Sequence, residues 1–445
     1  MKRMACMAAM MLSLTGCATV QSPRPPSTMA SRTGPEQRAP VTILVSLDGF
    51  RPDYLDRGVT PVLSRLKTGG VSAAMRPSFP SITFPNHWTL VTGKVPDHHG
   101  VVGNSMEDAR RPGETFTMAT DDPFWWSEAE PIWVTAEKAG VRTATMFWPG
   151  ANVGWGGTMD KKHHNAVTGG TRPEDWQQFN QAVTGGQRVD AVIDWLRRPA
   201  ATRPRFVTLY FDTVDSAGHA DGPGSAGVTQ AVADVDRQIG RLVEGLATLG
   251  QPANLVIVAD HGMAATSADR EIALDTVANP ADYRVIEAGA FAGIAPVAGH
   301  ERALEAALLK PHAHMQCWRK AAIPARFRYG TNPRVPPYFC LAQTGWKIDK
   351  TRPTAAQWYP TPSTRTARAM PGRSAIAARR PRQAAPRPAA GAVAPRPVAG
   401  AAALAAGMAA AAVAAAADAV QARAGGTSAG RVATMVVETN VITNA

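Results

Sequence analysis

From Val41 to Leu47 the chain is a nearly continuous apolar run rich in branched residues. That is the pattern of a strand buried on both faces. Similar runs occur at Thr143–Phe147, Phe206–Phe211 and Asn254–Ala259. Between them the period changes. Val228, Val232, Val235, Ile239, Leu242, Val243, Leu246 and Leu249 recur at helical spacing, and Trp133–Ala139 and Val189–Leu196 are shorter helical candidates. Strands alternating with helices predict an α/β domain with a mostly parallel central sheet covered by helices on both faces. Ligands in such sheets bind at the carboxyl ends of the strands. Three of the strands run straight into acidic or His-rich loops there.

Composition changes this picture at the two ends. With 445 residues and 45% hydrophobic content, the chain can bury a large core. Its net charge of +12 is unevenly spread. After Lys350 there are 11 Arg and only Asp418 and Glu438 as acids, so the last 95 residues hold 11 − 2 = +9 of it. The basic character therefore belongs to the tail, and a specific nucleic-acid surface on the folded part is not expected. The tail is Pro-, Arg- and Thr-rich, then Ala-rich, with no aromatic after Tyr359. Residues 348–445 read as a disordered low-complexity segment, with a transient helix over 402–424. The abruptness of the change suggests a shifted reading frame near Lys347–Lys350.

At the other end, Lys2 and Arg3 precede an apolar stretch, Met4 to Leu14, too short to span a bilayer. Leu14-Thr15-Gly16-Cys17 follows, which resembles a lipobox. The expectation is a signal peptide over 1–16, removed together with Cys6, and a lipidated Cys17. A tether over 17–40 would hold an exported protein to the periplasmic face of the outer membrane, and Ala18 resembles the outer-membrane sorting pattern. In that compartment Cys317 and Cys340 could pair as a disulfide; two buried thiols are the alternative.

The candidate chemistry lies in four segments. Asp48 ends the first strand. Thr83 stands in Pro80-Ser81-Ile82-Thr83-Phe84-Pro85-Asn86-His87. Asp215 and His219 are four apart, so one helical turn puts both on one face. Asp260 and His261 follow the last strand. Each alone has a plainer reading: a turn-forming Asp, a capping Thr, a solvated pair. Together they supply three carboxylates, two imidazoles and a hydroxyl in loops of one sheet. That is a donor set suited to zinc, and two zinc ions can clamp an in-line displacement at phosphorus.

With His99-Gly100-Val101-Val102-Gly103-Asn104 and the run Asp215-x-x-Gly218-His219-x-x-Gly222-Pro223 added, residues 41–347 resemble the nucleotide pyrophosphatase/phosphodiesterase family of the alkaline phosphatase superfamily. The resemblance implies an alkaline-phosphatase-like fold. One zinc would be held by Asp48, Thr83, Asp260 and His261, the other by Asp215, His219 and a third His. Thr83 would be the nucleophile, passing through a phosphoryl-threonine intermediate. Asn104 would donate to a non-bridging phosphate oxygen. Phe84 is a candidate wall for a nucleobase, with core packing as the equal alternative. The substrate would be a nucleotide-like phosphodiester.

The pattern departs from the family at one place. The third His belongs to a Gly-x-His-Gly-Tyr-Asp segment near the domain's end, and no His follows His314. His312 and His314 are poor substitutes, since their segment looks familiar in its own place. The second zinc site is therefore expected to be weak, and the sheet to lack its final strands and leave an exposed edge. The alternatives are a phosphate monoesterase of the same superfamily and a catalytically impaired surface lipoprotein.

Overall fold

The computed structural model describes residues 36–163 and 165–351, together with the backbone of 434–439. The expected signal peptide, Cys17 and nearly all of the tether lie outside the described residues, as do most of the tail and the expected helix over 402–424. Among the described residues no helix is long and apolar enough to cross a membrane.

A seven-stranded sheet forms the centre, with every neighbouring pair parallel. Across the sheet the strands run Val71–Met75, Thr434–Thr439, Ala253–Val258, Val41–Leu47, Phe206–Phe211, Thr143–Met146 and Asp175–Trp176. The four apolar runs of the sequence are its middle. Val41–Leu47, Thr143–Met146 and Phe206–Phe211 are buried along their whole length. Alternate side chains of the first strand enter different cores. Val41, Ile43, Val45 and Leu47 pack with Val192, Leu196, Val232 and Ile239, from the helices Gly185–Arg197 and Ala226–Thr248. Leu44 packs on the opposite face with Trp88, from the helix Thr83–Thr92, and Trp133, from Ile132–Lys138. Both faces are covered, as the strand pattern requires.

The helix Ala226–Thr248 buries Val228, Val232, Val235, Ile239, Leu242 and Leu246, the stripe set by the 3.6-residue period. Ser225 caps it by accepting from the Val228 N–H. Thr184 and Gln187 close a capping box on Gly185–Arg197.

A second sheet, antiparallel, has the order Tyr283–Glu287, Phe291–Pro296, Tyr338–Ala342, Met315–Arg319. Cys317 and Cys340 face each other across two of its strands and are disulfide-bonded. This settles the alternative left open by the sequence in favour of the bridge.

Two expectations about the C-terminal part are corrected. The fold does not stop at 347, because Lys347–Asp349 pairs in parallel with Glu271–Ala273. Nor is all of 348–445 outside the domain. Thr434–Thr439 lies inside the central sheet, pairing with Leu255–Ile257 on one side and Val71–Met75 on the other. Ala253–Val258 is therefore not an edge of the sheet. Thr-Met-Val-Val-Glu-Thr is mostly β-branched, but it is six residues in a long Ala- and Arg-rich stretch, whose average hides it.

Candidate active site

Three parallel neighbours end side by side and deliver the acids. Val41–Leu47 runs into Asp48, Ala253–Val258 into Asp260 and His261, and Phe206–Phe211 into the helix Thr213–Asp221 that carries Asp215 and His219. The backbone N–H of Asp48 donates to Phe211 O at 2.9 Å, which locks the first of these acids to the neighbouring strand.

Thr83 enters from the other layer. It is the first residue of its helix and makes no capping bond; Ile82 holds the cap position. Its hydroxyl is 3.2 Å from His261 Nε2. The same nitrogen lies 3.4 Å from Asp48 Oδ1 and 3.3 Å from Asp260 Oδ2. Asp48, Asp260 and His261 can each turn one donor atom to a common point. His261 Nδ1 donates to the Gly262 carbonyl at 3.0 Å, which leaves the lone pair on Nε2, where a metal would take it.

Asp48 and Asp260 are each anchored by one oxygen and present the other. Tyr210 Oη donates to Asp48 Oδ2 at 2.6 Å, and the Gly49 N–H donates to Asp260 Oδ1 at 3.3 Å. Asp48 Oδ1, Asp260 Oδ2 and Asp215 Oδ1 are buried without a hydrogen bond. Burial and the neighbouring acids push the Asp48 carboxyl well above its usual range, and Asp260 up to about 8. Buried carboxylates so close repel one another, and leaving their oxygens unpaired is costly. A divalent cation removes both penalties. The donor set of two carboxylates, an imidazole and a hydroxyl fits one.

Gly49 holds this arrangement together. Its φ of +67° is a left-handed conformation, and a Cβ there would lie 3.0 Å from Asp215 Cα and 3.1 Å from its Oδ1. Gly49→Ala is expected to lower stability by about 1–2 kcal/mol. It should also weaken the binding of a divalent cation at this site, since it pushes Asp215 and Asp260 out of place. Thermal unfolding and a zinc titration measure the two effects.

Asp215 and His219 stand one turn apart as the spacing requires, 3.5 Å from each other. The His219 side chain is 75% exposed and opens onto a cleft of about 380 Å³ that Thr83, Asn104, His261 and Glu287 also line. Among the described residues no third His, Cys, Asp or Glu joins this pair. His312 Nε2 donates to Leu308 O at 3.0 Å and lines a different cavity, and His314 is stacked on Trp346 at 3.6 Å. Neither substitutes for the third ligand.

Asn104 reaches the helix start: its Oδ1 accepts from the Phe84 N–H at 2.9 Å. The Phe84 ring packs against Phe116 and Trp126, each at 6.0 Å, and is half-buried. Its observed contacts are those of the packing alternative.

Sequence reasoning left three residues without a role. His87, quoted only as part of a motif, bridges Ser46 Oγ and Thr83 O, both at 2.8 Å. Burial holds its ring neutral, with a pKa lowered to about 3. It fixes the backbone of Thr83 to the central strand. Tyr210 was read as part of a strand, and its bond to Asp48 needed the register to be seen. Glu287 came from a sheet with no motif at all.

A family model described as type I phosphodiesterase/nucleotide pyrophosphatase matches residues 42–372. Bis(5'-adenosyl)-triphosphatase of Xenopus laevis is 36% identical over 313 residues, 69% of this chain and 66% of the relative. Ectonucleotide pyrophosphatase/phosphodiesterase family member 1 of Mus musculus is 32% identical over 348 residues, 75% of this chain and 36% of the relative. The chain thus spans about one third to two thirds of the length of these relatives. Among solved structures, human ectonucleotide pyrophosphatase/phosphodiesterase 5 superposes with a TM-score of 0.64 at 30% identity, over 70% of this chain and 81% of that one. The murine protein, in an inactive threonine-to-alanine form in complex with AMP, gives 0.64 at 31%, over 71% and 81%. With its parallel sheet, its acids at three adjacent strand ends and a family match over most of its length, the chain belongs to the type I phosphodiesterase/nucleotide pyrophosphatase family.

Proposed function

We propose that the chain is a zinc-dependent hydrolase of nucleotide-like phosphodiesters, acting outside the cytoplasm from a lipid anchor on Cys17. The observation that carries the catalytic part is the meeting of Thr83 Oγ with Asp48, Asp260 and His261 around His261 Nε2. A zinc ion held by these four would lower the pKa of the Thr83 hydroxyl and polarise the phosphate. Thr83 Oγ then attacks phosphorus, a P–O bond to the leaving group breaks, and a phosphorylated threonine is left. Water attacks that phosphorus in turn, the P–Oγ bond breaks, and Thr83 is restored. Asn104 donates from its amide nitrogen to a non-bridging oxygen as charge develops. The second zinc of the family pattern would rest on Asp215 and His219 alone and bind weakly. A nucleobase would stack on the exposed part of Phe84.

A single amide donor beside the nucleophile suits a diester, which carries one charge fewer than a monoester. The test compares bis-p-nitrophenyl phosphate with p-nitrophenyl phosphate, before and after chelation. Expected is a kcat/KM for the diester higher by about tenfold or more, lost on chelation and restored by zinc. Preference for the monoester would replace this reading with that of a phosphomonoesterase. A folded chain that binds no zinc and turns over neither would be an impaired surface lipoprotein.

A further inference from the structure

Glu287 is the one carboxylate in the Thr83 cleft, among the described residues, that is not placed as a metal ligand. It ends the strand Tyr283–Glu287, where the pairing with Phe291–Pro296 shifts register between Val285 and Glu287. Such a bulge re-aims a side chain. Here the carboxylate reaches across to the turn 103–105. It accepts the Asn104 N–H at 3.1 Å and also the Ser105 N–H. The turn is shaped for this contact: a Cβ on Gly103 would lie 2.4 Å from Glu287 Oε2 and 2.7 Å from Ser105 O. Tyr329 Oη braces the preceding residue by donating to Val102 O at 3.0 Å.

The Asn104 amide is thereby held from both ends. Glu287 holds its backbone, and the Phe84 N–H holds its Oδ1. With Oδ1 engaged, Nδ2 is the donor the amide has left to offer. We propose that Glu287 is a positioning residue for the known family chemistry, fixing the Asn104 amide beside Thr83 so that its nitrogen meets a phosphate oxygen. This rests on the reading of Asn104 as that donor. Preorganised donors work because they need no reorientation as charge develops, and misplacement by an ångström is costly. Burial also pushes the Glu287 carboxyl up to about 8, so at neutral pH it sets little negative charge against a phosphodiester anion.

The experiment is a double-mutant cycle on the zinc-loaded full chain with bis-p-nitrophenyl phosphate. Asn104→Ala is expected to lower kcat by about 10²-fold, the effect of losing one oxyanion donor. Glu287→Ala should lower kcat about tenfold with little change in KM or zinc content, because the donor is present but loosely held. Glu287→Gln should recover most of that loss, since its amide oxygen still accepts the Asn104 N–H. In the Asn104→Ala background, Glu287→Ala should cost nothing further. Full additivity, or a Glu287→Ala loss confined to zinc content or thermal stability, overturns the assignment. A neutral Asn104→Ala removes the donor reading and the proposal with it. If the parent chain is inactive on diesters, the activity reading fails by itself. The same cycle is then read from inorganic phosphate affinity, where additivity again overturns the role of Glu287.

Discussion

Thr83→Ala is expected to lower diester hydrolysis by at least about a thousandfold while leaving the fold intact. Alanine is a good residue for the first position of a helix, and Thr83 makes no capping bond that its loss would break. The backbone there is held by His87 Nδ1 on Thr83 O and by Ser46 on the far side of the ring. Neither contact involves the threonine side chain. The only hydrogen bond of the hydroxyl among those observed is to His261 Nε2. Removing it deletes the proposed nucleophile and one donor of the proposed zinc set, but leaves Asp48, Asp260 and His261. Zinc affinity should therefore fall by far less than activity does. Thr83→Ser, which keeps the oxygen, should retain measurable turnover. Single-turnover kinetics with zinc content measured on the same samples separate the effects. Turnover by Thr83→Ala near the parent rate, at full zinc occupancy, would mean that water attacks phosphorus directly and that no threonine ester forms.

How far the site could be read beforehand follows from where each residue's information lies. Asp48, Asp260 and His261 sit at the ends of strands whose apolar runs are unmistakable, so order along the chain already placed them at one edge of one sheet. Asp215 and His219 were legible because a helix turns every 3.6 residues. Thr83 looked like a cap and is not one; only the neighbouring motifs lifted it above that plainer reading. Tyr210 and Glu287 were not legible, for a common reason. Their partners, Asp48 and the turn at Asn104, are set by strand register and by a bulge, which are tertiary facts. The antiparallel sheet is hard to read in the sequence because its strands are short and its two outer ones, Tyr283–Glu287 and Met315–Arg319, are only partly buried, with weak periodicity. The terminal strand was missed through averaging, since six β-branched-rich residues carry little weight in a stretch judged by its alanines and arginines.

That terminal strand carries the second large prediction. Deleting residues 431–445 should destabilise the domain by about 3 kcal/mol or more, at about 0.5–1.5 kcal/mol for each backbone hydrogen bond lost. Thr434–Thr439 is an interior strand, so its removal opens two rows of backbone groups at once. Among the described residues Val71–Met75 has no other partner in the sheet, so it would lose its pairing. Ala253–Val258 would become an edge, with Leu255 and Ile257 almost fully buried beside it. An apolar parallel strand exposed in this way is a template for association, so the truncated chain should aggregate at lower temperature and concentration. The damage should reach the chemistry, because the same strand leads into Asp260 and His261, and loosening it loosens two donors of the proposed zinc group. Val436→Pro in the full chain is the sharper test. Its backbone is opposite Ile257 on one side and Ser72 on the other, and proline removes a ladder N–H where a central strand needs it. Both variants should lower the urea midpoint and the zinc affinity together. If the truncated chain kept the parent's midpoint and zinc affinity, the sheet would close without its last strand, and the pairing with Leu255–Ile257 would carry no stability.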